Sequence, residues 1–447
     1  MNIQLPEHVK YIIHTLEAAG YPAYAVGGCV RDSVLGRTPE DWDITTAAHP
    51  QQVKALFSRT VDTGIRHGTV TVLLEKEQYE ITTFRIDGTY EDARHPSSVT
   101  YTPDLKEDLK RRDFTINAMA YNERDGFVDA FGGLTDLAEK RIRCVGDPRE
   151  RFSEDALRML RAVRFAAQLN FSIDRDTREA ICLLAPAIAQ VSAERIQTEL
   201  VKLLISDHPE RLMDVWETGI ADVVFPEFSR MMVTEQNTIH HCYTVGEHTI
   251  HAVMNMEPDR LLRLAMLFHD IGKPACRTTD AAGIDHFKGH PAVGAQMTRE
   301  ILRRMKFDNH TIRRVSRFVE IHEDRPALTE VSVRKSLSRT GPENYPDFFR
   351  IKRADILAQS DYMRQDKLNK LEEHIRLYHE ILSAHQCLTK EELAVTGNDL
   401  IAAGVPRGRQ IGEILNGLLE HVLEVPEDNQ KEILLALVQD GTVRSQS

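Results

Sequence analysis

The sequence predicts an α+β fold, a small mixed-sheet head followed by a long all-helical remainder. Three observations carry that expectation. Two stretches with two-residue apolar alternation, His67-Gly-Thr-Val-Thr-Val-Leu73 and Tyr79-Glu-Ile-Thr-Thr-Phe-Arg85, read as neighbouring strands early in the chain. A Gly27-Gly28 turn separates a short apolar run, Tyr24 to Val26, from a segment of helical character, Val30 to Leu35. From Pro148 onward the pattern becomes helical and stays so.

At 447 residues the chain is too long for one ordinary core, and two to four units are expected. Hydrophobic content of 42% suits a folded chain, and no run approaches the ~18 apolar residues of a membrane span. Met1 to Tyr21 carries Glu7, Lys10 and Glu17 where a signal peptide is apolar, so a cytoplasmic location is expected. The six cysteines show no Cys-x-x-Cys spacing, which argues against a disulfide framework or a zinc ribbon. A net charge of −12 weighs mildly against a nucleic-acid partner. Against that, Arg303, Arg304, Lys306, Arg313, Arg314 and Arg317 recur in one helical region, followed by Arg334, Lys335 and Arg339. The cluster is either a solvated face or a phosphate-contacting one.

Taken in order, Gly27-Gly28 lets a phosphate approach the backbone, and Arg31 supplies a fixed positive charge. In Asp41-Trp-Asp-Ile-Thr45 the polar and apolar residues alternate, so a strand here places Asp41 and Asp43 on one face. Two such carboxylates suit Mg²⁺, with nucleotide phosphates completing its shell. Arg85 to Thr102 reads as a long polar loop. Ser153 reads as the N-cap of a helix, with Glu154 and Asp155 in its first turn and Arg158 on their face.

The pattern Gly-Gly-x-Val-Arg-Asp-x-x-Leu-Gly-x-x-x-x-Asp-x-Asp resembles the signature of the class II tRNA nucleotidyltransferases, the CCA-adding enzymes and bacterial poly(A) polymerases of the polymerase β superfamily. The resemblance implies a third carboxylate on a later strand, for which Glu80 is the candidate. It also makes the Arg85 to Thr102 loop the one associated with final A addition. Arg111-Arg112-Asp113-Phe-Thr-Ile-Asn117 matches the family's ribose-recognition motif, where carboxylate and guanidinium bracket the 2′-hydroxyl. Glu154, Asp155 and Arg158 match its protein template for the incoming base. There Asp155 accepts from the amino group of cytosine or adenine, Arg158 donates to the ring, and Glu154 holds the guanidinium. Arg161 and Arg164 fall in the motif that follows, and Ser192 to Leu200 braces the head. The implied activity is addition of CCA to tRNA from CTP and ATP by two-metal phosphoryl transfer. Poly(A) polymerase or A-only addition shares these motifs and remains open, as does the oligomeric state.

Nearly half of the 19 histidines lie between 240 and 322. Around Leu261 to Pro274, which contains His269-Asp270-Ile-Gly-Lys, the chain resembles an HD-type metal-dependent phosphohydrolase. That resemblance assigns His248, His269, Asp270 and Asp355 to one metal, and His290 and His322 to a second. Mn, Fe, Co, Ni or Zn would all suit the donors. A metal-dependent phosphodiesterase or phosphatase acting on nucleotides or RNA ends is thus an alternative main activity. Thr244 stands where an aspartate is expected, so the support of the metal shell is in question. The expected organisation is a catalytic head at 1–146, a helical neck at 147–235, an HD region at 236–390 and a C-terminal tRNA-binding body at 391–447, with Arg407 and Arg409 as phosphate contacts.

Overall fold

The computed structural model describes residues 2–88 and 98–443. The chain forms two compact units, one of Met1–Arg230 with Arg304–Phe307, the other of Met231–Arg303 with Asp308–Ser447.

The first unit opens with a seven-stranded mixed sheet. Its strands are β1 (Ala23–Val26), β2 (Ile44–Thr46), β3 (Thr60–Gly64), β4 (Thr69–Leu74), β5 (Glu77–Thr83), β8 (Met119–Asn122) and β9 (Gly126–Asp129), in spatial order β3-β4-β5-β2-β1-β8-β9. Only β2 and β5 run parallel; the other pairings are antiparallel. Alternation along β4 and β5 buries Val70, Val72, Tyr79 and Ile81 while Glu80 stays exposed. The helix Glu7–Ala18 places Val9, Ile12, Ile13 and Leu16 in the core, the 3.6-residue stripe of a surface helix.

The Arg85 to Thr102 segment is not simply a loop. Its described flanks pair as an antiparallel ribbon, β6 (Arg85–Asp87) with β7 (Val99–Tyr101), in the register Arg85↔Tyr101. Residues 89–97, with Asp92, Arg94 and Pro96, lie outside the described residues.

The helical start at Ser153 is also corrected. Asp147 accepts from the Arg149 N–H, and Pro148 occupies the first position, so the helix runs Pro148–Glu154. Asp155 is extended, at φ −145° and ψ 102°, and a new helix runs Leu157–Leu169. Glu154 and Asp155 therefore stand at a break between two helices. Asp155 Oδ1 accepts from the Leu157 N–H at 3.1 Å, capping the second helix from outside.

The second unit is helical apart from the short pair Thr278–Thr279 and Asp285–His286. Thr244 is explained here: its hydroxyl accepts from Glu247 N–H while the Glu247 carboxylate accepts from Thr244 N–H, a reciprocal cap on the helix Val245–Met254 that carries His248. A separate apolar cluster, with Val395, Leu400, Leu418, Val422 and Leu434, holds the last helices together.

Most of the basic cluster is spent internally. Arg304 pairs with Glu227, Arg314 with Asp347, Arg317 with Glu320, Lys335 with Glu424 and Arg339 with Asp324, while Arg334 is buried against the Leu423 carbonyl. Arg409 likewise pairs with Glu413.

Candidate functional site

The head site is built at the end of β1. Gly27 sits at φ +86° and caps the helix Gly28–Val34, which starts two residues earlier than its apolar pattern suggests. A Cβ at Gly27 would lie 3.0 Å from the Arg112 guanidinium and 4.0 Å from Asp43 Oδ2, so glycine is what lets these groups converge. Gly28 opens the helix beside Arg31, whose guanidinium donates to Asn117 Oδ1 at 2.8 Å and to Asp32.

Asp41 and Asp43 precede β2 instead of lying within it, both exposed toward solvent. The carboxylates gather by a different route from simple alternation. β2 runs parallel to β5 with Ile44 opposite Ile81, so Asp43 and Glu80 hold adjacent places one step before that pair. The Asp43 carboxyl is pushed up to about 6, first by the protein that displaces water around it and then by the charges of Asp41 and Glu80, against the pull of Arg112. A carboxylate crowded by two others, with one nearby guanidinium, is a donor set suited to a divalent cation. Because protons and metal compete for Asp43, the half-saturating concentration of a divalent cation should rise as pH falls below about 6, approaching ~tenfold per pH unit. Divalent-cation binding titrations between pH 5 and 8 test this; a half-saturation that ignores pH would refute it.

A second group lies where the helices meet the head. Asp113 is buried and accepts from Arg161 at 2.6 and 2.9 Å and from the Asn117 amide at 3.2 Å. Burial alone would raise its carboxyl, but the Arg161 charge and hydrogen bonds hold it well below the usual range. Arg161 also approaches Glu199 at 3.8 Å, and Glu199 binds Arg164 at 2.5 Å, which ties the Ser192 to Leu200 motif to the site. Burial brings Arg164 down to about 10. Arg111 is fixed by Asp108 at 2.8 Å, and Asp108, fully buried, also stands 3.8 Å from Arg112.

Glu154, Asp155 and Arg158 do not all pair as their spacing suggests. Arg158 binds Glu154 at 2.6 Å and donates to the Arg151 and Arg111 carbonyls at 3.0 and 3.1 Å. Asp155 is held instead by Arg195 at 2.6 and 3.2 Å. Arg111, Arg112, Asp113, Asp155, Arg158, Arg161 and Arg195 line one cleft of about 250 Å³. Sequence reasoning missed Arg195 and Asp108 as members of this group. Arg195 lies in a motif read only as structural, and nothing local marks Asp108 as buried.

The second unit gathers the other predicted set. His248, His269 and Asp270 form one cluster and Asp270, His290 and His322 another, all buried. Asp270 Oδ2 lies 3.3 Å from His269 Nε2 and 3.5 Å from His248 Nε2, while its Oδ1 lies 3.2 Å from His290 and 3.6 Å from His322. Asp355 Oδ1 is 3.1 Å from His248 Nε2. Each ring places Nδ1 against a backbone carbonyl: Ala358 for His248, Met266 for His269, Phe287 for His290 and Val319 for His322. A carbonyl only accepts, so each Nδ1 carries the proton and each Nε2 of a neutral ring presents a lone pair. Those lone pairs face each other at 3.2 Å, His248 to His269 and His290 to His322. A bound metal ion would resolve that repulsion, as would a second proton on His269, which Asp270 favours against the effect of burial. The carbonyls also supply the outer support that Thr244 does not.

Three segments match known family profiles: the poly A polymerase head domain over residues 23–143, the probable RNA and SrmB-binding site of polymerase A over 170–232, and tRNA nucleotidyltransferase domain 2 over 292–438. Among curated relatives, the CCA-adding enzyme of Levilactobacillus brevis is 37% identical over 439 residues, 97% of this chain and 98% of the relative. Among solved structures, the Bacillus stearothermophilus CCA-adding enzyme in complex with CTP is 31% identical, with 98% of each chain covered and a TM-score of 0.71. The Thermotoga maritima CCA-adding enzyme complexed with tRNA shares the fold at 20% identity, TM-score 0.58, over 98% of this chain and all of that one.

Proposed function

The chain belongs to the CCA-adding enzymes, nucleotidyltransferases that complete the 3′ end of tRNA from CTP and ATP, and we propose that it does so with the residues gathered around Gly27 and Asp155. The carrying observation is the convergence of Asp43, Glu80, Arg112 and Gly27 at one end of the sheet, beside the Arg and Asp cleft.

In this reading Asp41, Asp43 and Glu80 hold divalent metal, taken to be Mg²⁺. The ions, when bound, lower the pKa of the attacking 3′-hydroxyl and neutralise the triphosphate. The protein's part is positioning. Gly27 and Gly28 leave room for the phosphates, and Arg31 and Arg112 supply charge. Arg111, Asp113 and Asn117 bracket the ribose. Arg158, clamped at three acceptors, and Asp155, clamped by Arg195, present a donor and an acceptor to the base. Cytosine and adenine offer the matching amino group and ring acceptor; guanine and uracil do not. The division into head (1–146), neck (147–235), HD region (236–390) and body (391–447) is proposed as functional, and a cytoplasmic location accords with a tRNA substrate. No helix among the described residues is long and apolar enough to cross a membrane. Incorporation into tRNAs ending at the discriminator base, C and CC tests the reading. CCA on all three supports it; addition to the CC end alone, or long A tails on unrelated RNA, would replace it.

A second reading is favoured by the histidine geometry: the second unit holds a hydrolytic metal centre. His248, His269 and Asp270 would hold one transition-metal ion, and Asp270, His290 and His322 a second. Metal there, when bound, would generate hydroxide for attack on phosphorus. With Asp43→Asn in the head to weaken metal binding there, protein stripped by chelator and dialysed against Mn²⁺ is expected to retain about two ions per chain, and the same chain carrying Asp270→Asn fewer than one. Equal metal content in the two proteins, by elemental analysis, would count against the centre.

A further inference from the structure

A buried carboxylate with no part in the mechanism above stands between the metal strand and the ribose motif. Asp108, on the short helix Leu105–Lys110, is fully buried. Its Oδ1 accepts from Arg111 Nη2 at 2.8 Å and Nε at 2.9 Å, and from the Arg85 N–H at 3.3 Å. Its Oδ2 accepts from the Thr45 hydroxyl at 3.1 Å and stands 3.8 Å from Arg112 Nη2. Three separate stretches thus converge on one side chain: β2, which Asp43 directly precedes, the first residue of the β6 ribbon, and two arginines of the head cleft. Arg111 meets a second carboxylate, Asp87, only at 3.8 Å, so Asp108 is the group that grips it.

We propose that Asp108 is a positioning residue for nucleotide transfer, holding Arg111 in register with the metal-bearing end of β2 so that the 2′-hydroxyl of the incoming ribose is read. The inference rests on the reading of Arg111, Asp113 and Asn117 as the ribose bracket, and names what aims it. A dry carboxylate is costly, and an apolar side chain of similar volume commonly holds a core as well. What Asp108 supplies is placement. Two parallel N–H contacts fix the plane of a guanidinium that would otherwise sample many rotamers. Thr45 lies two residues beyond Asp43, so one side chain bound to both Thr45 and Arg111 fixes the span from metal to sugar. A donor moved off the 2′-hydroxyl no longer distinguishes it from hydrogen. Base choice is held separately, because Arg158 keeps Glu154 and the Arg151 carbonyl, and Asp155 keeps Arg195.

The test compares kcat/KM for CTP, dCTP and UTP on a tRNA ending at the discriminator base, together with the melting temperature of the full chain. Asp108→Asn is the informative change. The new amide oxygen still accepts from the Arg85 N–H, and the amide NH2 donates to Thr45 Oγ1, whose own proton turns to the Thr82 carbonyl at 3.2 Å. Only the charge facing the arginines is lost. Preference for CTP over dCTP is expected to fall ~tenfold, with preference for CTP over UTP and the melting temperature nearly unchanged. Thr45→Val removes the partner of Oδ2 while keeping the strand's shape. It should lower the sugar ratio in the same direction, and it carries the test if Asp108→Asn does not fold. Equal losses for CTP and dCTP in both variants would make Asp108 structural and overturn the proposal. Arg111→Lys separates the two layers. A lowered sugar ratio there with an unchanged one in Asp108→Asn overturns this inference alone, whereas an unchanged ratio in Arg111→Lys overturns the ribose reading with it.

Discussion

Asp43→Asn is expected to lower nucleotide incorporation by ~10³-fold or more while leaving the fold as stable as before, or more so. The activity loss follows from removing one of three carboxylates available to metal: several kcal/mol of charge stabilisation correspond to about three powers of ten in rate. The stability result follows from the sign of the carboxyl's shift. Its folded value, about 6, is above the ordinary 3.8, so the folded protein binds this proton more tightly than the unfolded chain does. Stability from that preference is fully present below the unfolded value and is lost as pH rises through about 6; at pH 7 the ionised side chain opposes folding. Asparagine removes the charge and keeps the shape. Single-turnover incorporation and thermal melting, measured on the same preparation, separate the two effects. Near-normal incorporation would remove Asp43 from the metal set, and a large drop in melting temperature would make its role structural.

Asp155→Asn is expected to reduce preference for CTP over UTP by ~10 to 100-fold, since a paired base contact of this kind is worth ~1–3 kcal/mol. The carboxylate can only accept, which suits the exocyclic amines of cytosine and adenine. The amide also donates, so it meets the O4 of uracil without an unpaired lone pair. CTP incorporation should itself fall, because Arg195 loses a charged partner held at 2.6 Å. Arg195→Lys separates these contributions: it keeps the charge but not the two-point grip, and should slow incorporation of both nucleotides without changing their ratio. Ratios of kcat/KM for CTP and UTP decide the matter. An unchanged ratio in Asp155→Asn would show that base choice resides elsewhere.

The sequence was most legible where chemistry demands particular residue types at fixed local spacing. Gly27-Gly28, the Asp41 and Asp43 pair, Arg111 to Asn117 and His269-Asp270 are each short and each joins residues that the fold keeps together. It misled where a local rule had competitors. Ser153 is an acceptable cap, but Asp147 with Pro148 caps earlier, so the helix ends just where Ser153 was expected to begin one. Alternation across Asp41 to Thr45 suggested a strand, yet the strand begins at Ile44, and Asp43 reaches β1 only through its carbonyl, which accepts from the Val26 N–H at 3.0 Å.

By itself, then, the sequence determined the inventory: a mixed-sheet head with a carboxylate pair, an arginine-rich helical junction, and four spaced histidines with two aspartates. Local spacing fixes such features because helix and strand periods convert it directly into shared faces. The tertiary structure decided who meets whom. It set Glu80 beside Asp43 through a parallel strand pair, gave Asp155 to Arg195 across 40 residues, and turned four imidazoles inward by binding their outer nitrogens to backbone carbonyls. Such pairings depend on packing between distant segments, which no local period encodes.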